Sequence, residues 1–409
     1  MAEITVDDSV LAQILAKCNP PHTPLLEGCE HIRKRPAMYI GDTKSFGLYQ
    51  LFFEVLNNAM DEVLACRATD IQVILHKDGS ISIQDNGGGI PEQPSVEEGI
   101  PGIEKAMTVF NVGGTYKSNS YRVSGGLHGV GLVCVNALSA WCEARVERGG
   151  QIYTLRSEQG IPTSPLEKTG KTTEHGTTIT WLPDREIFGE YKYTSDFIKS
   201  YLRKICYLTP EATIHFRDDL NLGISETYQC PQGVVELIKS LEEYQECLGG
   251  IVHSREVRDG VVIDFALQFT MLPATTVFTF ANNVYTGNGG THFKGFQSGL
   301  RRAISSYAGQ LGDVDGDHRY FTYGDASQGV VAAVSIRHLH PRFEGSTRSI
   351  LGNEEVEGIV DVVVREAMGK FFAECPEVGR QIVERAADEQ RKRRQKNGAK
   401  QQRNMTRRV

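Results

Sequence analysis

The stretch Phe53-Glu54-Val55-Leu56-Asn57-Asn58-Ala59-Met60-Asp61-Glu62 sorts its residues onto two sides of a helix. Leu51, Val55, Leu56, Ala59, Met60 and Val63 recur at helical spacing between Leu48 and Ala65, while Glu54, Asn58 and Asp61 share a polar edge. One edge can therefore serve one site. A carboxylate there can orient and deprotonate a water, and a neutral amide oxygen beside it can ligate Mg²⁺ without adding charge next to phosphates. A plain solvated helix face carries the same pattern, so the flanking segments have to decide.

Downstream, Ile71 to Leu75 and Ile81 to Gln84 read as strands around the turn Asp78-Gly79, and the second runs into Gln84-Asp85-Asn86-Gly87-Gly88-Gly89-Ile90-Pro91. Glycines let backbone approach a ligand closely, and a single carboxylate can accept a hydrogen bond from an exocyclic amine such as that of adenine. A ligand-free tight turn uses the same residues. From Ser95 to Gly131 the chain is glycine-dotted and too long for a simple connection, which suits a lid or binding loop. It ends in Ser124-Gly125-Gly126-Leu127-His128-Gly129-Val130-Gly131, ahead of a helix predicted over Leu132 to Ala140. Consecutive amides in such a loop can cradle an anion. No Gly-Lys-Ser/Thr follows and no βαβ unit precedes, which sets aside the P-loop and dinucleotide folds.

Further strands are predicted at Ala144 to Val146, Ile152 to Leu155 and Thr177 to Leu182. A turn-rich junction at Cys230 to Gly233 opens a second α/β region. There a helix is expected over Val235 to Tyr244, strands over Val261 to Leu272, Thr275 to Ala281 and Val330 to Ile336, and helices over roughly 292–308 and 354–372. Residues 1–26 lack a strong period and read as an arm.

With 409 residues, 40% of them apolar, the chain can bury two or three cores. No segment reaches the roughly 20 apolar residues of a membrane span, and the acidic start MAEITVDDSV is no secretory leader, so a cytoplasmic protein is expected. Nine cysteines without a CxxC pair fit reduced thiols rather than a disulfide framework or zinc site. The net charge of -7 argues against a chain that coats nucleic acid, yet basic residues crowd from Arg391 to Arg408. That run suits a solvated helix or tail, or a connector facing DNA.

Helix with Glu and Asn, then Asp-x-Gly-x-Gly after a strand, then a long segment ending in Gly-x-Gly at a helix: this order resembles the GHKL ATPase superfamily. Arg33-Lys34-Arg35-Pro36-Ala37-Met38-Tyr39-Ile40-Gly41-Asp42-Thr43, the 123–131 string and Gly289-Gly290-Thr291-His292 narrow the resemblance to the ATPase subunits of type IIA topoisomerases, gyrase B or topoisomerase IV. It runs from about Leu26 to the carboxy terminus.

The resemblance implies an α+β chain: an amino-terminal dimerisation arm over 1–26, a GHKL (Bergerat) α/β sandwich ATPase domain over 27–232, a βαβ transducer of ribosomal-protein type over 233–390, and a basic helix or tail over 391–409. It implies ATP and Mg²⁺ as ligands, a homodimer formed on ATP binding, and a gyrase A-type cleavage subunit and DNA as partners. Glu54 would be the general base and Asn58 the Mg²⁺ ligand. Asp85, with Thr177, would bind adenine in a pocket that includes Gly87, Gly89, Ile90 and Pro91. Asn119 and Tyr121 would lie near the nucleotide, Gly126, Leu127, His128, Gly129, Val130 and Gly131 would wrap the phosphates, and Arg348 would touch the γ-phosphate.

Several residues depart from the family pattern. Gln50 stands where a histidine is usual, Asn57 where an aspartate is, Gly88 where an arginine covers the adenine pocket and pairs with the residue matching Glu62, and Ser346-Thr347-Arg348 where the family has Gln-Thr-Lys. A guanidinium is not interchangeable with an ammonium, so these changes bear on hydrolysis more than on binding. After Met405-Thr406-Arg407-Arg408-Val409 no Glu-Gly-Asp-Ser string or Asp-x-Asp follows, and the expectation is a polypeptide that does not cleave DNA alone.

Overall fold

The structure, a computed structural model, describes residues 28–92, 100–110, 130–220, 223–242, 246–312, 317–345 and 348–406. The first unit begins with α1 (Cys29–Lys34), α2 (Ala37–Ile40) and α3 (Ser45–Leu64), followed by β1 (Asp70–Leu75), β2 (Ile81–Asp85), α4 (Gly102–Thr108) and α5 (Gly131–Ala137). It continues through β3 (Ser139–Arg148), β4 (Gln151–Glu158), β5 (Ile161–Pro162), β6 (Glu167–Lys171), β7 (Gly176–Pro183), α6 (Arg185–Phe188), α7 (Ser195–Leu208), β8 (Thr213–Asp218) and β9 (Ile224–Gln229). These strands form a sheet in the order β5-β4-β3-β7-β2-β1-β8-β9, with β6 also on β4; β1 and β8 run parallel and the other pairs antiparallel.

Helix α3 forms where the apolar spacing predicts it. Leu48, Leu51, Phe52, Val55, Leu56, Met60 and Val63 are buried on its sheet-facing side. Ahead of the helix, the Asp42 carboxylate accepts the Lys44 and Gly47 amides at 2.9 Å each, satisfying donors that a helix start leaves open. In the Arg33–Thr43 string, Arg33 donates to the Ala137 carbonyl at 2.8 Å and pairs with Asp184 at 2.7 Å, tying α1 to the end of α5 and the start of α6.

The second unit comprises α8 (Val234–Glu242), β10 (Cys247–Arg258), β11 (Val261–Thr270), β12 (Thr276–Ala281), β13 (Val284–Tyr285), α9 (Thr291–Leu311), α10 (Tyr323–Ala326) and β14 (Val330–Arg337). The hairpin β15 (Phe343–Glu344) and β16 (Ile350–Leu351), α11 (Glu354–Glu374) and α12 (Pro376–Thr406) complete it. Its main sheet has the order β10-β11-β14-β12-β13, with β12 and β14 parallel. Strands β11 and β14 are buried along nearly their whole length. That reads as a sheet covered on both faces: α9, α11 and α12 supply one cover, and Val234 and Ile238 of α8, with Leu208 of α7, supply the other.

Some expectations change. The helix predicted over Leu132 to Ala140 stops at Ala137, because Ser139 already begins β3. Residues 102–108, inside the stretch expected to be irregular, are helical, with Ile103 and Met107 buried. Helix α7, strands β8, β9 and β10, and the parallel pairing of β1 with β8 carried no sequence signal strong enough to predict. The basic run from Arg391 is the second half of α12, helical through Thr406.

The two units meet through named polar contacts. Arg337 of β14 donates to the Leu208 carbonyl and to Glu211, each at 3.0 Å, and Asn283 donates to the Thr209 hydroxyl at 3.0 Å. Arg255 of β10 also pairs with Glu211. Partial burial works to raise the Glu211 carboxyl, but the hydrogen bond and charge of Arg337, with Arg255, outweigh it and hold that group below its ordinary value. A depressed carboxyl contributes stability that is present above its unfolded value and lost as pH falls. Arg337→Ala is expected to lower the unfolding free energy by about 1–2 kcal/mol near pH 7, a figure discounted for the exposure of Glu211. Urea unfolding at pH 7 and pH 4 checks this: the deficit should be larger at pH 7.

Candidate ATP site

Helix α3 carries the polar edge to a cavity of about 1390 Å³. Its wall brings together Glu54, Asn58, Asp85, Gly89, Ile90, Pro91, Val130, Gly131, Thr177 and Arg348, residues separated by nearly three hundred positions in the chain. Asn58 is exposed there, and Glu54 is half-buried. Gly87 is not on the wall; its amide donates to Asp85 at 2.8 Å and its carbonyl meets His175 Nδ1 at 2.7 Å. Asn119, Tyr121, Gly126, Leu127, His128 and Gly129 lie outside the described residues, as do Ser346 and Thr347.

Glu54 is held from two sides. Gln50, one helical turn earlier, donates its amide to Oε1 at 3.0 Å. On the other side α5 begins so close that a methyl group at Gly131 would overlap Oε2 and sit 2.9 Å from the carboxyl carbon. Glycine at 131 thus permits the carboxylate to stand against the start of α5. The neutral Gln50 amide fills the orienting place that the resemblance gives to a histidine.

Asp85 closes β2 and is 6% exposed. Burial pushes its carboxyl up to about 7, and the nearby Glu62 charge adds to this, while the Gly87 and Thr177 amides and Arg67 pull the other way. Such a group can switch its proton near neutrality. Thr177 lies opposite Asp85 in the β2–β7 register, and its hydroxyl accepts the Ile90 amide at 3.3 Å. Gly176 permits that pairing: with φ of 142°, any side chain there would run into the Asp85 backbone.

Arg348 reaches the cavity on a loop that the Gly289–His292 string fastens. Asn288 donates to the Ser349 carbonyl at 3.1 Å, and Leu351 donates to the Gly289 carbonyl at 3.2 Å. Gly290 packs on the Leu351 backbone, and His292, fully buried, meets the Thr286 hydroxyl at 2.9 Å; burial pushes its imidazole down to about 4.

Sequence reasoning passed over two side chains around this site, Arg67 and Arg148. Arg67 forms a two-pronged pair with Glu62, at 2.8 and 2.7 Å, and Arg148 donates to the Gly88 and Gly89 carbonyls at 2.6 and 2.9 Å. Glu62 also accepts the Gly88 amide at 3.1 Å. The resemblance gives Glu62 as the partner of the arginine usual at 88, whereas neither Arg67 nor Arg148 lies in a motif.

A half-buried carboxylate, an exposed amide, a buried carboxylate and a cation from a second α/β unit share one cavity, in a fold of the GHKL type followed by a transducer. Residues 43–187 match the family described as histidine kinase-, DNA gyrase B- and HSP90-like ATPase, and residues 232–402 match the DNA gyrase B family. The gyrase B subunit of Thermotoga maritima is 38% identical over 392 residues, covering 94% of this chain and 61% of that protein. That of Haloferax volcanii is 39% identical over 394 residues, covering 94% and 60%. Among solved structures, the 43K ATPase domain of Thermus thermophilus gyrase B, in complex with an aminocoumarin, superposes with a TM-score of 0.76 at 33% identity over 91% of this chain and 97% of that one. The topoisomerase IV ATP-binding domain of Francisella tularensis gives 0.76 at 26% identity over 90% and 98%. The chain belongs to the DNA gyrase B family of type IIA topoisomerase ATPase regions, and it binds ATP in a GHKL domain. It spans about 60% of the length of those two gyrase B subunits. Among the described residues no helix is long and apolar enough to cross a membrane.

Two outcomes follow. Gly131→Ala is expected to leave Tm near that of the parent, since the clash falls on a flexible side chain, and to cut ATP turnover steeply by displacing Glu54; parallel melting and steady-state assays check it. For Asp85 the sign runs the other way. Its raised carboxyl means that the folded state binds the proton more tightly, so stability falls as pH rises from about 4 to about 7. Asp85→Asn should therefore raise Tm at pH 8 while weakening ATP binding by roughly 10-fold or more. Calorimetry of ATP binding beside melting curves reads both.

Proposed function

We propose that the chain is the ATP-binding and hydrolysing clamp of a gyrase B-like type IIA topoisomerase, acting in the cytoplasm. Two protomers join when ATP binds and part after hydrolysis, gating DNA strand passage together with a gyrase A-type cleavage subunit. The observation that carries this reading is that one cavity is walled by Glu54, Asn58 and Asp85 of the first unit and Arg348 of the second. We divide the chain into an arm over 1–26, an ATPase domain over 27–232, a transducer over 233–390 and a basic end over 391–409.

In this reading Glu54, steadied by Gln50, takes the proton of the attacking water. Asp85 and Thr177 hold the adenine, with Gly87 supporting Asp85 and with Gly89, Ile90 and Pro91 flanking the base. Val130 and Gly131 end the phosphate loop begun by Gly126, Leu127, His128 and Gly129, with Asn119 and Tyr121 nearby. Arg348 supplies positive charge at the γ-phosphate. Asn58, exposed on the wall, suits Mg²⁺ through its neutral amide oxygen, and the ion would offset charge on the phosphates.

A second reading, an ATP-gated dimerisation module with slow turnover, is favoured by Gln50. Its neutral amide can orient Glu54 but cannot share the abstracted proton as an imidazole could. Steady-state ATPase assays separate the two readings: turnover abolished by Glu54→Ala, with ATP affinity kept, supports the clamp, whereas a parent no faster than Glu54→Ala supports the module. Arg348→Ala should cost roughly 10²- to 10³-fold in rate and weaken dimerisation induced by a non-hydrolysable analogue. Parent-like values in both assays would remove Arg348 from the site.

A further inference from the structure

Helix α3 ends in a way that folds the next arginine back over it. Cys66 adopts the left-handed conformation, with φ of 57°; its amide donates to the Val63 carbonyl at 2.9 Å, and the Arg67 amide donates to the Glu62 carbonyl at 2.9 Å. This pair of bonds is the Schellman closure of a helix terminus. It plants the Arg67 backbone on Glu62, and the side chain then returns to the same residue with two parallel hydrogen bonds to its carboxylate. Fork-on-carboxylate pairing fixes direction as well as charge.

The carboxylate so held lies on the cavity wall, 8% exposed, and accepts the Gly88 amide. A methyl group at Gly87 would sit 2.6 Å from Glu62 Oε2 and 2.7 Å from Asp85 Oδ1, so the two acids flank one backbone position. Two neighbouring buried carboxylates cannot both ionise cheaply without a cation. The other charged or titratable groups around Asp85 are Asp61 on α3, Arg148 on β3 with its partner Glu92, and His175 before β7. Arg148 and His175 are engaged with the carbonyls of Gly87, Gly88 and Gly89, whereas Arg67 sits on the second acid itself.

We infer that Arg67 is a positioning residue for ATP binding: through Glu62 it anchors the Gly88 amide and offsets the Glu62 charge that stands beside Asp85. The inference rests on Asp85 being the purine anchor. It assigns the fit of the adenine pocket to a residue just beyond the helix, outside every motif.

The chain offers its own rescue. A Cβ at Gly88 would meet Arg67 Cδ at 3.7 Å and Nε at 3.8 Å, which is ordinary contact, and Gly88 does not have positive φ. An arginine placed at 88 can therefore deliver a guanidinium to the space that Arg67 fills.

ATP binding to the full chain is measured by calorimetry from pH 6.5 to 9 for the parent, Arg67→Ala, Arg67→Ala/Gly88→Arg, Arg67→Ala/Glu62→Gln and Asp85→Asn. Arg67→Ala should lose roughly 10- to 100-fold in affinity at pH 7. The deficit should narrow as pH rises and ionises Asp85. Gly88→Arg should recover most of the loss, and Glu62→Gln should return the pH profile towards that of the parent. Parent-like affinity of Arg67→Ala across the range would overturn the inference, as would a pH-independent deficit that neither second substitution repairs, which is the mark of a merely structural role. If Asp85→Asn binds ATP as tightly as the parent, the purine-anchor reading fails instead; weak Asp85→Asn beside tight Arg67→Ala sinks the Arg67 role alone.

Discussion

The apolar side of α3 is packed against the sheet so that its polar edge has no choice of direction. Leu48, Leu51, Phe52, Val55, Leu56 and Met60 are each at most 2% exposed, and burying a side chain of that size contributes about 1.5–3 kcal/mol. Successive residues of a helix are about 100° apart, so even a one-residue roll would bring most of that stripe into water and turn Glu54 and Asn58 off the cavity. The position of the Glu54 carboxylate is thus inherited from core packing. Gln50 and the start of α5 make only the last adjustment, fixing which oxygen faces where.

Much of this was legible in the order of residues because the chemistry and the periodicity coincide there. The α3 stripe, the strand ahead of Asp85 and the glycines at 87–89 and 131 are local patterns, and local patterns can be read from one sequence. What escaped was non-local. Strand β8 pairs in parallel with β1 across more than a hundred residues, and no turn signal announces such a pairing. Arg148 reaches the glycine loop from β3, and nothing in the residues around it marks that reach. Helix α4 hides in a glycine-dotted stretch because seven residues hold too few turns to show a period. The Gly289–His292 string was recognised as a family mark, but its task was visible only in three dimensions. Together with Asn288 it secures residues 349–351, and with them the loop from which Arg348 enters the cavity.

The junction between the units shows why the cavity can be built from both. Leu208, Val234, Ile238, Ala266, Val331 and Ala333 form one shared apolar cluster, so the end of α7 and the second sheet have a common core. Around it Arg337, Arg255 and Glu211 add directional contacts. A polar ring on an apolar patch of this modest size leaves room for a shift of one unit on the other at small cost, unlike a continuous core. Arg348, on the far side of that seam, shares the cavity wall with Glu54 and Asp85, so a change in how the units are seated would move it relative to them.

Helix α12 gives such a reseating mechanical reach. It is clamped near its middle, where Arg385 donates to the Thr270 and Met271 carbonyls, Gln390 bonds Asp317 and Arg393 pairs with Asp325. Beyond Arg393 it continues to Thr406, a length of about 20 Å at 1.5 Å per residue. Held at one end and rigid along its hydrogen-bonded axis, that segment is a lever: a tilt of about 10° at its root carries the tip about 3 Å. A shift too small to break a packed interface would thereby be enlarged at the far end of α12, the stretch that carries Lys396, Lys400 and Arg403.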